Sequence, residues 1–269
     1  MIGTNILRVL AGFSTRHLPS PASPSWQRTN FRGEPVSLCG GLNVAAGVVS
    51  ASLLTPGRMG TAGAIAGASG ALAGHIDDHR EQDFATAKGL SGHLSALANG
   101  QVTTGVLKIG IIGTGAGISA LVLRDGKDQN SSAPVEVADW VIRVVAIAGS
   151  ANLLNLLDLR PGRALKAATA LSILVAPGHG DVRPLLSGVT GTVAGALPSD
   201  LAGKTMLGDL GANAVGAVIG VAAASHPSRA VRLLAAAGTV GLILASEKVS
   251  FSRVIESNRI LSAVDRWGR

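Results

Sequence analysis

Four aspartates lie at the ends of apolar segments in this 269-residue sequence: Asp77, Asp78, Asp158 and Asp209. The adjacent carboxylates of Asp77 and Asp78 repel each other, and a divalent cation such as Mg²⁺, which prefers carboxylate and phosphate oxygens, would offset that repulsion. Lys88, further along the chain, could reach a phosphate as a point charge, or it could hold lipid headgroups instead. An ordinary solvated helix end is the alternative for the acid pair, and an ordinary N-cap is the alternative for Asp209.

A strip of amide and acidic side chains ends another apolar segment. Asn152, Asn155 and Asp158 recur at a spacing of three residues, which places them on roughly one face of a helix. This strip is costly in contact with lipid, so it should face protein or a cavity. Arg160 and Arg163 follow at once, and their guanidinium groups could bind phosphate oxygens in pairs. Helix capping and membrane-flanking charge explain the arginines well, but they explain the asparagine strip poorly.

Composition indicates an integral membrane protein. Hydrophobic residues make up 47% of the chain and charged residues 14%, and the mean hydropathy is +0.40. A soluble domain carries about 25% charged residues. The single cysteine, Cys39, excludes an internal disulfide and a cysteine metal cluster. The net charge of +7 is explained by basic residues flanking a membrane, and nucleic acid is not an expected partner because no basic stretch is interleaved with aromatics.

The apolar blocks predict an all-α, polytopic membrane helix bundle with eight or nine spans. The spans are expected near 38–56, 60–76, 103–123, 137–157, 164–177, 182–197, 209–225 and 229–246. Residues 1–13 could be the end of a further span. The whole chain, 1–269, is expected to form one integral membrane domain, with a cytoplasmic loop over 14–37 and a basic cytoplasmic tail over 247–269. The abundance of glycine and alanine would let the helices approach closely.

Alternating the spans divides the connecting loops into two sets. The first comprises 14–37, 77–102, 158–163, 198–208 and 247–269, and the second comprises 57–59, 124–136, 178–181 and 226–228. Lys and Arg number about fourteen in the first set and about six in the second, which makes the first set cytoplasmic by the positive-inside rule. The four aspartates therefore share the cytoplasmic face of the plasma membrane. The loop over 14–37 is rich in Pro and Ser and is expected to be irregular.

Two basic residues fall inside predicted spans. Lys108 lies about one turn inside its span and could extend outward to the interface. Arg143 lies deeper, where an ionisable residue indicates either a functional site or a structural partner such as Asp139, one turn away. These two residues are the main hint of a transporter or channel, which would otherwise be expected to show broken helices in repeated halves.

Taken in order, these motifs resemble those of the MraY/WecA-like superfamily of polyprenyl-phosphate N-acetylhexosamine-1-phosphate transferases. That family has Asp-Asp followed after nine residues by Lys-Gly-Leu, matched here at 77–78 and 88–90. Its Asn-x-x-Asn-Leu-x-Asp motif is matched at 152–158, and its Met-Gly-Asp-x-Gly-Ser motif is approximated at 206–212. Its upstream Pro-x-x-Gly-Gly motif is similar to 35–41, with two extra residues.

The resemblance implies a Mg²⁺-dependent transfer of a sugar-1-phosphate from a UDP-sugar to polyprenyl phosphate, giving a lipid-linked sugar for cell-envelope polysaccharide. It implies catalytic roles for Asp77, Asp78, Asp158 and Asp209, with Asp209 and Asp158 as the Mg²⁺ ligands. It implies substrate-binding roles for Lys88, Asn152, Asn155, Arg160 and Arg163. Proteins of this family also tend to form homodimers, so a homodimer is a further expectation.

The sequence departs from this family after Asp158. The family often continues Asp-Gly-x-Asp-Gly there, whereas this chain has Pro161 in place of the second acid. The histidine-rich loop of the peptidoglycan enzyme has no counterpart near the end of the chain. These departures favour a divergent member with an altered sugar or nucleotide. The alternatives are a non-catalytic scaffold or regulator of envelope synthesis from the same family, and a transporter or channel.

Overall fold

Each predicted apolar segment forms a helix in the computed structural model, which describes residues 2–18, 23–30, 32–80, 89–124, 132–178 and 182–269. The eight helices are α2 (Cys39–Leu53), α3 (Gly57–Arg80), α5 (Thr104–Val122), α6 (Ala133–Leu157), α7 (Arg163–Val175), α8 (Arg183–Leu201), α9 (Gly208–Ala224) and α10 (Arg229–Lys248). The described residues also form α1 (Ile2–Ser14), α4 (Gly89–Ala98), α11 (Phe251–Ser257) and α12 (Arg259–Arg266). The all-α prediction is confirmed.

Three of the described helices, α5, α6 and α10, are long and apolar enough to cross a membrane. Two shorter apolar helices are α2 and α9. The 25 residues of α6 correspond to roughly 37 Å of helix, which exceeds the roughly 30 Å hydrocarbon core of a bilayer. These helices are consistent with the membrane association that the composition predicts.

Helix α9 forms the centre of the bundle, and nearly all of its residues are buried. Glycines let its neighbours approach to backbone contact. A Cβ at Gly74 of α3 would lie 2.2 Å from the backbone of Asp209, and a Cβ at Gly220 of α9 would lie 2.7 Å from the Cα of Ile147 in α6. The small residue Gly74 thus lets the start of α9 pack against the end of α3, and Gly220 lets the later part of α9 pack against α6.

The prediction of an irregular loop over 14–37 is wrong at a short hairpin. Strand β1 (Gln27–Thr29) pairs antiparallel with β2 (Pro35–Ser37). The backbone N–H of Ser37 donates to Lys204 O at 3.2 Å, and the N–H of Met206 donates to Ser37 O at 2.9 Å. The pairing of β1 with β2 is local, but these further hydrogen bonds come from a distant segment, the α8–α9 connection, which the local sequence does not reveal.

Two further segments predicted as a loop and a tail contain helix. Helix α3 continues past the apolar segment to Arg80, and α4 lies within the predicted loop 77–102. The predicted tail over 247–269 contains α11 and α12. The apolar pattern alone underestimates the length of α3 because the last turn of this helix is polar. That polar turn belongs to the candidate site.

Candidate functional site

Asp78 caps the start of α9 from a neighbouring helix. Its carboxylate accepts hydrogen bonds from the backbone N–H of Asp209 at 3.1 Å and of Leu210 at 2.9 Å. These are two of the N–H groups that a helix start leaves without an intrahelical partner. Leu207 occupies the N-cap position and makes no side-chain capping bond. Asp209 is therefore not an ordinary N-cap, and its side chain is left for other contacts.

Gly208, directly before Asp209, has a left-handed backbone conformation with φ +58°. A Cβ at this position would lie 2.9 Å from the Asp78 Oδ2 atom and 2.8 Å from a methyl group of Leu38. Only glycine adopts this conformation without strain. The Gly-Asp pair in the motif therefore has a structural reason: the glycine lets Asp78 reach the first turn of α9.

Lys108 joins two of the aspartates. Its Nζ lies 3.4 Å from Asp77 Oδ2 and also contacts Asp209 Oδ2. Asn155 donates from Nδ2 to the same Asp209 oxygen at 3.2 Å. The side chains of Lys108, Asp77 and Asp209 are 11%, 24% and 28% exposed, so the cluster is shielded but reachable from solvent. Four different helices, α3, α5, α6 and α9, each supply one of its side chains.

The contacts of Lys108 are not predicted from the sequence, in which its side chain could extend outward to the interface. Its position offered one signal: a charged residue inside an apolar segment requires a partner. The predicted sidedness also put Lys108 near the same membrane face as Asp77 and Asp209. The pairing itself spans 31 and 101 residues of sequence, so it required the packed helices.

Asp158 lies just after α6, beneath the start of α9. It accepts a hydrogen bond from the backbone of Gly208, and its Oδ2 atom is buried without a hydrogen-bond partner in the described part of the chain. Burial, followed by the charges of Asp200 and Asp209, raises the pKa of Asp158 well above its ordinary value. The carboxylates of Asp158 and Asp209 thus interact electrostatically, although the structure does not join their side chains by a hydrogen bond.

A cavity of about 200 Å³ opens beside Asp158, between the β hairpin, the α6–α7 connection and the α8–α9 connection. Polar residues in its lining include Thr29, Asn30, Asp158, Arg160 and Asp200. The carboxylate of Asp200 accepts a hydrogen bond from the Gly162 N–H, yet burial raises its pKa to about 6. Asp200 has no distinguishing signal in the sequence, because an acid near a predicted helix end is ordinary.

The hairpin also contacts the acidic end of α3. Trp26 packs against His79 with ring centroids 4.5 Å apart, and the rings of His75 and His79 are 4.4 Å apart. Arg28 donates a hydrogen bond to the backbone carbonyl of Asp78. These contacts attach the hairpin to the same turn of α3 that supplies both adjacent aspartates.

Arg163, predicted to bind substrate, has partners within the protein. Its guanidinium is buried and donates to both carboxylate oxygens of Asp265 at 2.8 and 3.1 Å, and to Ser252 Oγ at 2.8 Å. Arg160 lies 3.7 Å from Glu256 and also lines the cavity. The two arginines therefore differ: Arg163 docks the C-terminal helices, and Arg160 faces the candidate site.

Two further residues, Asn152 and Lys88, are predicted to bind substrate. Asn152 is half-buried, one helical turn before Asn155. Lys88 lies outside the described residues. The structure thus brings Asp77, Asp78 and Asp209 into one cluster with Asn155, with Asp158 behind its first helical turn.

Arg143, the deep basic residue, has structural partners far from this cluster. Its Nε donates to Asp139 at 2.8 Å, and its Nη1 donates to the carbonyl of Ala224 at 2.8 Å. Arg232 contacts the same Asp139 carboxylate. This network gives the carbonyl of Ala224, at the C-terminal end of α9, a hydrogen-bond donor. Asp139 is the structural partner that the sequence indicates as one alternative for Arg143.

The donor set of the cluster is compatible with a divalent cation. The carboxylates of Asp77 and Asp209 converge on one cation, the Lys108 ammonium, and carboxylate oxygens are the protein ligands that Mg²⁺ prefers. Among the described residues, no group of three or more His, Cys, Asp or Glu side chains is arranged to hold a metal ion by itself. Substrate phosphate oxygens would have to complete such a site.

Comparison with known proteins adds no family to this geometry. No protein-family model matches the chain, and no curated protein matches it. The function must therefore be inferred from the residues and their contacts.

Proposed function

We propose that the protein is a membrane transferase that moves a sugar-1-phosphate from a UDP-sugar to polyprenyl phosphate with the help of Mg²⁺. The observation that carries this proposal is the meeting of Asp77, Asp78 and Asp209 at the start of α9, with Lys108 between two of them. In the proposed orientation the chain crosses the plasma membrane eight or nine times, and this cluster faces the cytoplasm.

The proposed reaction suits a polar cluster at the end of a membrane bundle. An oxygen of the lipid phosphate attacks the sugar-linked phosphorus, the diphosphate bond breaks, and UMP leaves while the lipid keeps the new diphosphate link. This chemistry requires positioning and charge neutralisation more than covalent help from the protein. Acids that hold a cation, together with nearby cationic side chains, supply both requirements.

Mg²⁺ would be held by Asp209 and Asp77, with Asp158 as the further ligand that the resemblance implies. When bound, it would neutralise diphosphate charge and stabilise the leaving group. Asn155 orients the Asp209 carboxylate through its hydrogen bond, and Asp78 keeps the first turn of α9 in place. Lys108 compensates the two carboxylates and offers an ammonium to a phosphate.

The nucleotide is proposed to enter the cavity beside Asp158. Its volume of about 200 Å³ is below the 300–1,000 Å³ common for whole-ligand pockets, so it would hold only part of the donor. Arg160 at its rim is suited to a phosphate, and Asn30 and Thr29 offer hydrogen bonds to a base or ribose. The diphosphate would then extend towards Asp209.

The test is a transfer assay with purified protein, polyprenyl phosphate, Mg²⁺ and a panel of radiolabelled UDP-sugars. Label moving into the organic phase reports the product. Asp209→Asn should abolish transfer, whereas Glu136→Gln should retain it, because Glu136 lies about 28 Å along α6 from Asn155 and pairs with Arg124. Equal transfer by wild type and Asp209→Asn would refute the proposed site.

A non-catalytic scaffold or regulator of envelope synthesis is the second candidate. It is favoured by the contact of Lys108 with both acids that a metal would need, and by Pro161 at the position of the missing acid. Absence of product with every donor, in protein shown to be folded, would support this candidate.

A further inference from the structure

Helix α12 exposes a stripe of large apolar side chains. Ile260 and Val264 in the helix and Trp267, directly after its last residue, recur four and three residues apart, and their exposed fractions are 75%, 54% and 71%. Residues at this spacing lie on one face of a helix. Single exposed apolar side chains are common, but a contiguous stripe of this kind indicates a surface that binds something apolar.

The exposed charge around this stripe is mostly basic, with three arginines against one glutamate. Arg253, Arg259 and Arg266 are exposed. Of the two acids in the segment, Asp265 is buried against Arg163, whereas Glu256 has a side chain that is 55% exposed and lies 3.7 Å from Arg160. The segment therefore presents an apolar stripe beside a cationic face.

The position of α12 relative to the membrane-spanning candidates is fixed by two connections. Helix α10, one of those candidates, ends at Lys248, and α11 begins three residues later. Lys166 of α7 donates to the carbonyls of Val264 at 3.0 Å and Trp267 at 2.7 Å. Helix α12 is thus held against the end of the bundle that carries Asp158, where α10 would leave the bilayer.

We propose that α12 lies in the plane of the membrane interface and binds anionic phospholipid. Ile260, Val264 and Trp267 enter the boundary between headgroups and acyl chains, and Arg259 and Arg266 contact anionic headgroups. Charge complementarity selects lipid over a second copy of this chain, because a two-fold pairing of α12 would bring its own arginines together. The inference requires membrane embedding but not the transferase reaction.

The binding has a structural consequence for the candidate site. Arg163 joins α12 to the start of α7 through the buried pair with Asp265, and Arg269 donates to the carbonyl of Pro161 at 2.9 Å. The α6–α7 connection, which carries Asp158, is therefore held at the depth of the lipid headgroups.

The test uses the full chain with Cys39→Ala, reconstituted in phosphatidylcholine vesicles with and without phosphatidylglycerol. A nitroxide is attached to a single cysteine at Ile260 or Val264, with Ser262 on the opposite face as the matched control. At the first two positions we expect frequent collision with oxygen and shielding from an aqueous nickel reagent, and at the half-buried Ser262 we expect less collision with oxygen. Anionic lipid should increase the inserted fraction, with each arginine contributing about fivefold.

The combined Arg253→Gln, Arg259→Gln and Arg266→Gln variant should lose this dependence on anionic lipid while keeping its overall fold, since all three side chains are exposed. Free access of the aqueous nickel reagent to Ile260 in the anionic vesicles would overturn the proposal. Shielding accompanied by spin–spin broadening that disappears on dilution with unlabelled protein would also overturn it, because it would assign the stripe to a second copy.

Discussion

Lys108→Met would remove the ammonium that contacts both Asp77 and Asp209. At 3.4 Å and an effective dielectric constant of about 20, one such contact is worth about 5 kcal/mol before desolvation. Desolvation offsets much of this attraction. Since the side chains are still 11–28% exposed, we expect a net loss of about 2 kcal/mol in unfolding free energy. The thermal midpoint should fall by about 4–8 °C.

The same variant should respond more strongly to Mg²⁺ than the wild type does, because its two carboxylates are left without a cation. An ion present at about one hundred times its dissociation constant adds about 2.7 kcal/mol to the folded state. Thermal unfolding with and without MgCl₂ measures this response. Lys108→Arg should behave like wild type, and so should Lys248→Met, an exposed lysine at the end of α10. A Lys108→Met protein with unchanged stability and unchanged Mg²⁺ response would refute the shared-cation account.

Three further variants test the framework of the site, two by thermal unfolding and one by proteolysis. Gly74→Ala should cost about 1–3 kcal/mol, because its Cβ would meet the α9 backbone at 2.2 Å, whereas Gly113→Ala, with open space around it, should be neutral. Burial raises the pKa of Asp200 to about 6, so the free energy of unfolding should fall as the pH rises from about 4 to 6 and this carboxyl ionises. Asp200→Asn should flatten that decline and raise the free energy of unfolding at pH 7 by up to about 3 kcal/mol. Asp265→Asn should expose α12 to proteolysis, because the substitution leaves the buried guanidinium of Arg163 without its carboxylate partner. Arg163 holds the pKa of Asp265 below its ordinary value, so protonation of Asp265 at acidic pH should expose α12 to proteolysis in the wild type as well.

The eight helices that coincide with apolar segments could be predicted from the sequence, because an apolar segment is a local property. The polar last turn of α3 and the helices α4, α11 and α12 have no such local signal. The apolar segments, alternated across a membrane, put Asp77, Asp158 and Asp209 on one face, and the structure brings all three to the start of α9. The asparagine strip was informative for the same reason: the side chain of Asn155 turns inward and contacts Asp209.

The partners of these residues could not be predicted, because they depend on helix crossings far apart in sequence. The side chain of Asp78, rather than that of Asp209, accepts hydrogen bonds from the first backbone N–H groups of α9. Asp78 reaches these groups because α3 approaches α9 closely at Gly74. Arg163 is predicted from the sequence to bind a phosphate, but in the structure its guanidinium binds the carboxylate of Asp265 in α12. Strand β2 contacts the α8–α9 connection through Ser37 and Thr205, a contact that no local pattern encodes.

The most direct test of the proposed reaction follows the phosphorus atom itself. A UDP-sugar labelled at its β-phosphorus is incubated with the protein, polyprenyl phosphate and Mg²⁺, and the organic phase is counted. Transfer of a sugar-1-phosphate carries this label into the lipid, and Asp209→Asn should abolish the transfer. Retention of the label in UDP while sugar reaches the lipid would contradict the account, and so would label transfer that Asp209→Asn leaves unchanged.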